Sequence, residues 1–226
     1  QLEVGDVGGL FAAGGKLDAT LSADLDLLQK SGLTTLLDVA GTATSTVHLS
    51  DAQASELVNH GLAFAQADHT GDRHVEVDVA AGSAGASTHL KTSLAELQKL
   101  GVDQVALTGT TTGLSLDLGG ETLDQAAVHV PKFEVGAGEH VTLDVSESAL
   151  LNMSGEALAS DAAILKDHGI DGIQLEVGAG EVGSLFTGGH LNATLAAELK
   201  ELQAGGLTTL LDVAGTAGTT SGTVHL

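Results

Sequence analysis

Cysteine is absent from the 226-residue chain, which removes disulfide frameworks, thiolate zinc sites and cysteine nucleophiles together. Tryptophan and tyrosine are absent as well, and Phe11, Phe64, Phe133 and Phe186 are the four phenylalanines. That leaves little from which to build stacking platforms for sugars or bases. Positive charge is scarce: 8 Lys and Arg stand against 30 Asp and Glu, a formal net charge of −22 with the ten His counted neutral. Such a surface repels nucleic acid and anionic membranes, so neither is an expected partner. No stretch reaches the roughly 18 consecutive apolar residues of a membrane span, and no basic start leads into an apolar run as in a signal peptide. Gln1 is not an initiator residue, so the chain reads as a processed product or a segment of something larger. What is present is a 42% apolar complement, mainly Leu, Val and Ala. It suffices for a continuous core and is too large for a disordered acidic tail.

The chain repeats itself. Residues 1–5 (QLEVG) recur at 174–178, residues 32–43 (GLTTLLDVAGTA) recur unchanged at 206–217, and Val47, His48 and Leu49 return as Val224, His225 and Leu226. The long period is about 173 to 177 residues, which divides the chain into one full unit at 1–173 and the start of a second copy at 174–226. A shorter phrase recurs inside it: a helical pattern, a glycine with an aliphatic residue, then an alternating strand. It occurs at 21–33, 90–102, 158–170 and 195–207. Leu or Ile at helical spacing gives each copy one apolar stripe, and Gly32, Gly101, Gly169 and Gly206 stand where a left-handed residue ends a helix. A fifth helix is expected from Ser50 to Gln66, capped through Ser50 and Asp51. Residues 119–131 depart most from the pattern.

Eight strands alternate apolar and polar residues, at 2–4, 37–39, 75–79, 105–107, 116–118, 141–145, 175–177 and 211–213. Helices between successive strands imply parallel pairing through crossovers, since antiparallel hairpins need only two to five residues of connection. Spacings of roughly 30 to 40 residues suit one strand-helix unit each. The expected fold is therefore an α/β repeat solenoid with a parallel sheet and helices on one face. A compact doubly wound sheet is the alternative, because strand-helix alternation by itself does not separate the two.

In seven of the eight strands the residue between two aliphatics is an acid: Glu3, Asp38, Asp78, Asp117, Asp144, Glu176 or Asp212, with Thr108 interrupting the series. Stacked in register, these side chains form a column on the uncovered face, where neighbours about 4.8 Å apart repel by ~1 kcal/mol in water. Either salt screens a solvated face, or hard divalent cations such as Ca2+ bridge the rungs through carboxylate oxygens. Under the second reading Asp38, Asp78, Asp117, Asp144 and Asp212 are metal ligands, with Asp68, Asp72, Asp167 and Asp171 as secondary candidates in Asp- and Gly-rich turns.

Other motifs do not complete. Residues 178–183 satisfy G-x-G-x-x-G after a strand, but the counterpart at 5–8 loses the spacing and that at 136–141 lacks the last glycine, which removes the case for a dinucleotide site. The histidines stand singly in sequence, with no H-E-x-x-H, and no serine lies in G-x-S-x-G. No catalytic constellation is legible, so no enzyme is expected. Threonine-rich stretches at 42–46, 108–112 and 216–223 are too irregular for the Thr columns of ice-binding solenoids.

The segments LTTLLDVAGT, STVHLSDAQASELVNHGLAFAQADH, HLKTSLAELQKLGVDQVALTG and HVTLDVSES resemble units of very long secreted repeat proteins of Gram-negative bacteria. These are giant adhesins and surface-layer or filament components, often exported by a type I route. The resemblance implies an extracellular or cell-surface structural or adhesive role with calcium-aided folding. The chain departs from that group in lacking its nonapeptide calcium repeat. The expected function is a structural building block of a filament, fibre or surface layer that associates head to tail with copies of itself, each end exposing an uncovered repeat face. The alternative is an adhesin-type binding module using the acidic sheet face.

Overall fold

A computed structural model describes residues 2–32, 35–40, 45–65, 73–80, 88–108, 113–146, 149–150, 155–178, 182–214 and 222–225. In chain order its elements begin with β1 (Leu2–Glu3), α1 (Ala19–Lys30), β2 (Thr35–Leu37), β3 (Val39–Ala40), β4 (Ser45–Ser50), α2 (Asp51–Asn59) and β5 (Leu62–Phe64). They continue with β6 (Arg73–Ala80), β7 (Thr88–His89), α3 (Leu94–Leu100), β8 (Gln104–Thr108), β9 (Gly113–Asp117), α4 (Leu123–Val128), β10 (Lys132–Glu134) and β11 (His140–Ser146). The last are α5 (Gly155–Asp167), β12 (Gly172–Gly178), β13 (Phe186–Thr187), β14 (His190–Leu191), α6 (Ala193–Ala204), β15 (Thr208–Ala214) and β16 (Gly222–His225).

Local chemistry accounts for the helix limits. Ser50 caps α2: its side chain accepts from the Gln53 N–H while the Gln53 side chain accepts from the Ser50 N–H, and Ser93 with Glu96 does the same for α3. Each pair satisfies two orphan N–H groups of a first turn. At the other end, Gly32, Gly101, Gly169 and Gly206 all have positive φ, between 76° and 95°, as the sequence leads one to expect. The helix expected from Ser50 to Gln66 is shorter. Gly61 turns the chain at φ 61° after His60, and Leu62–Phe64 forms β5, whose apolar ends Leu62 and Phe64 are buried. Residues 119–131, which break the sequence pattern, hold α4.

The architecture is mixed α/β with parallel sheets. Where the sequence suggests one sheet, the strands divide between two. The first runs β10-β8-β6-β4, all parallel. The second runs β16-β15-β12-β11-β9-β7, parallel except for the antiparallel β15–β16 pair. In both, spatial order follows chain order. Two-stranded pairs β1–β3, β2–β5 and β13–β14 and an isolated antiparallel bridge between Phe11 and Leu17 add to these among the described residues. β12 straddles the boundary between the two sequence copies and pairs with β11 on one side and β15 on the other.

One continuous hydrophobic cluster runs from Val7 to Leu207. Alternate strand residues enter it: Val47 and Leu49, Val75, Val77 and Val79, Val105 and Leu107 from the first sheet; Leu114 and Leu116, Val141, Leu143 and Val145, Ile173, Leu175 and Val177 from the second. Leu57, Leu97, Leu123, Leu165 and Leu202 close it from the helices. Each such side chain stabilises the fold by about 1.5–3 kcal/mol. Near the start of the chain, buried Glu56 of α2 accepts from Lys16 Nζ at 2.8 Å and the Leu17 N–H at 3.3 Å. The Lys16 hydrogen bond holds the Glu56 carboxyl below its usual range against the opposing effect of burial, aided by the Leu17 N–H and His60.

Candidate functional site

Period-two alternation sends the residues between the core aliphatics to the opposite face. On the first sheet, register places His48, Glu76, Gln104 and Lys132 in one row across β4, β6, β8 and β10, with Ser50, Asp78, Ala106 and Glu134 in the next. His48 Nδ1 lies 3.1 Å from Asp78 Oδ2 and 3.7 Å from Glu76 Oε1. Gln104 Nε2 donates to Glu76 Oε2 at 3.4 Å, so the two carboxylate oxygens of Glu76 face different partners. Lys132 Nζ pairs with Glu134 Oε1 at 2.8 Å. Burial pushes the Glu76 carboxyl up, and Asp78 and Glu134 add to it, while His48 opposes the rise.

The second sheet builds a related group differently. Asp117 and Asp144 are direct register partners on β9 and β11, and His89 of β7 reaches them from the adjoining row. One nitrogen of the His89 ring, Nδ1, is 3.5 Å from Asp144 Oδ2, and the other, Nε2, is 3.6 Å from Asp117 Oδ2. Ser115 Oγ also lies 3.1 Å from Nδ1. The imidazole therefore spans the two carboxylates instead of presenting one nitrogen to both. Asp144 is 7% exposed, so a fully solvated carboxylate face does not describe this part of the column. A cleft of about 830 Å³ opens beside the group, lined among others by Asp117, Asp144, Glu121, Glu176, Lys91 and Lys99. It lies at the carboxyl ends of β9, β11 and β12, the position where open parallel sheets commonly receive ligands.

The expected column of acids is thus partitioned. Asp78 lies on the first sheet and Asp117 and Asp144 on the second. Glu176 and Asp212 are register partners on β12 and β15, two residues along from the Asp144–Gln174 pair. The Asp212 side chain lies outside the described part of the chain. Asp38 occupies the break between β2 and β3, apart from both main sheets, and Glu3 pairs with Ala40 in β1–β3. Asp68 and Asp72 fall outside the described residues. Asp167 is exposed at the end of α5.

Asp171 has a structural task. It accepts from the Val141 N–H at 3.2 Å and from Lys166 Nζ at 2.6 Å, while its own N–H donates to the Val141 carbonyl at 2.8 Å. Burial would raise its carboxyl, but Lys166, the Val141 N–H and His140 outweigh that and hold it below the usual range. Asp103 makes the same clamp on Val75, accepting its N–H at 2.8 Å and donating to its carbonyl at 2.9 Å. The recurring Gly-aliphatic-Asp at 101–103 and 169–171 is the sequence sign of this clamp.

His48 and His89 complete the two groups, and their single placement in the sequence gives no sign of it. β4 is not among the expected strands, and without its register to β6 nothing brings His48 beside Glu76. The repeated Val-His-Leu triplet, with its polar residue between two aliphatics, is the signal that marks β4. No protein-family model, no curated protein and no solved structure matches this chain.

Proposed function

We propose that this chain is a module of a repeat scaffold, an α/β solenoid segment that assembles with copies of itself in an extracellular or cell-surface structure. The observation that carries the reading is the order of the strands: β4, β6, β8 and β10, and likewise β7, β9, β11, β12 and β15, lie side by side in the sequence in which they are synthesised. A doubly wound sheet reverses strand order at a switch point, whereas stacked repeats add each strand beside the previous one. Growth in one direction gives each sheet a terminal strand, beside which another strand can add. A head-to-tail contact built this way does not close and yields fibres or layers. Extracellular placement draws on the sequence resemblance.

Sedimentation velocity and electron microscopy test the reading. Assemblies that grow with concentration, up to tens of micromolar and with calcium present, are the expected result. A single monomeric species throughout that range overturns it.

The cleft beside Asp117 and Asp144 favours one second reading, an adhesin-type module that takes a cationic or calcium-bridged ligand on its acidic face. Exchanging Asp117 and Asp144 for Asn separates the two, because under this reading ligand capture fails while assembly persists.

A further inference from the structure

The row that joins β4 to β6 offers a specific chelate. His48 and Glu76 are direct register partners, and Asp78 stands two residues along β6 on the same face. One ligand atom from each of the three lies within 4.8 Å of the others. Both carboxylates approach the same ring nitrogen, Nδ1, at 3.1 and 3.7 Å. A tetrahedral ion with ligands at about 2.1 Å sets those ligands about 3.4 Å from one another, and the two separations bracket that figure. Gln104 holds Glu76 Oε2 from the neighbouring strand at 3.4 Å and leaves Oε1 toward His48, the outer-partner arrangement that orients a ligating carboxylate. The same combination of one His and two acids recurs on the second sheet as His89, Asp117 and Asp144. There the ring sets opposite nitrogens toward the two acids, whereas the His48 ring turns one nitrogen to both of its carboxylates.

From this juxtaposition we propose that His48, Glu76 and Asp78 form a binding site for a divalent transition metal of the zinc type, distinct from the calcium expected of the carboxylate column. Imidazole nitrogen suits Zn2+ and its neighbours in the first row, whereas Ca2+ takes oxygen ligands in sixes to eights. Three protein ligands leave a fourth position open, and His48, whose side chain is 58% exposed, puts that position at the surface. The proposal is independent of the scaffold reading and stands or falls on metal binding alone.

The test is calorimetric titration of Zn2+ into the chelator-treated full chain, with thermal denaturation in parallel. The expected result is saturable binding that weakens about tenfold or more in His48→Ala and in the near-isosteric Asp78→Asn. A zinc-dependent rise in melting temperature accompanies it in the unmodified protein and is lost in both variants. His89→Ala leaves the His48 component intact, and millimolar Ca2+ does not displace the zinc. Matching far-UV circular dichroism and metal-free melting temperatures show that the variants fold. Unchanged zinc affinity in folded His48→Ala, loss of the component in His89→Ala in its place, or displacement by Ca2+ each overturns the proposal.

Discussion

Glu198 shows how one position changes its role between copies of the same repeat. In the first copy the corresponding residue, Asp24, is exposed on α1. In the second, α6 packs beside α5 and Glu198 is 5% exposed. Its Oε2 receives no hydrogen bond, and burial raises its carboxyl above the ordinary value of 4.5. A carboxyl whose folded pKa is raised gives its stability fully only below the unfolded pKa and loses it as pH rises through the folded value. At neutral pH the charge is therefore a liability. Glu198→Met is expected to raise stability at pH 7 by about 1–3 kcal/mol, with a gain that shrinks as pH falls from the raised folded value toward 4.5 and is smallest below it. Urea midpoints at pH 7 and pH 4 check this, and a gain as large at pH 4 as at pH 7 contradicts the charge-burial account. Nothing in the sequence marks Glu198. Its burial depends on what packs against α6, whereas the outward parity of Glu76 and Asp117 was readable because alternation is a property of the strand itself.

At the scale of elements, two helix-ending glycines with nearly equal dihedrals separate backbone strain from crowding. Gly169 and Gly206 have φ of 95° and 94°. A Cβ on Gly206 would meet nothing nearer than Lys166 Cγ at 3.7 Å, while one on Gly169 would stand 2.5 Å from the Phe133 carbonyl oxygen. Gly206→Ala is expected to cost only the left-handed penalty of about 1–2 kcal/mol. Gly169→Ala adds displacement of β10 and is expected to cost about 2 kcal/mol more, as thermal denaturation of the two variants will show; equal costs would mean that the backbone shifts freely at β10. The ends of α1, α3, α5 and α6 were legible because Gly and the apolar stripe act within a few residues. The overlong α2 and the missed α4 have the opposite cause. Leu62 and Phe64 gain burial as β5 beside β2, and Leu123 and Ala126 gain it in the core, rewards that depend on distant partners.

For the whole molecule, a charge of −22 works against compaction, since exposed like charges repel over about a Debye length, ~10 Å at 0.1 M salt. Raising NaCl from about 10 to about 300 mM is expected to increase unfolding free energy on the order of 1 kcal/mol. A urea midpoint that falls with salt would show that attractive pairs such as Lys166–Asp171 outweigh the repulsion. By itself the sequence determined the α/β class, the parallel crossovers, the helix-ending glycines and the side of β6 and β9 that carries an acid, because periodicity and capping operate between residues close in the chain. The tertiary structure alone decided which strands are neighbours. The unchanged twelve residues of the repeat make the point: at 32–43 they contribute β2, paired with β5, and β3, paired with β1, while at 206–217 they contribute the unbroken β15 between β12 and β16. Strand pairing is set by what long connections bring alongside and by which faces find a core. For that reason the single carboxylate column of the sequence is broken up, and Asp78 on one sheet and Asp117 with Asp144 on the other each stand beside a histidine that only register could supply.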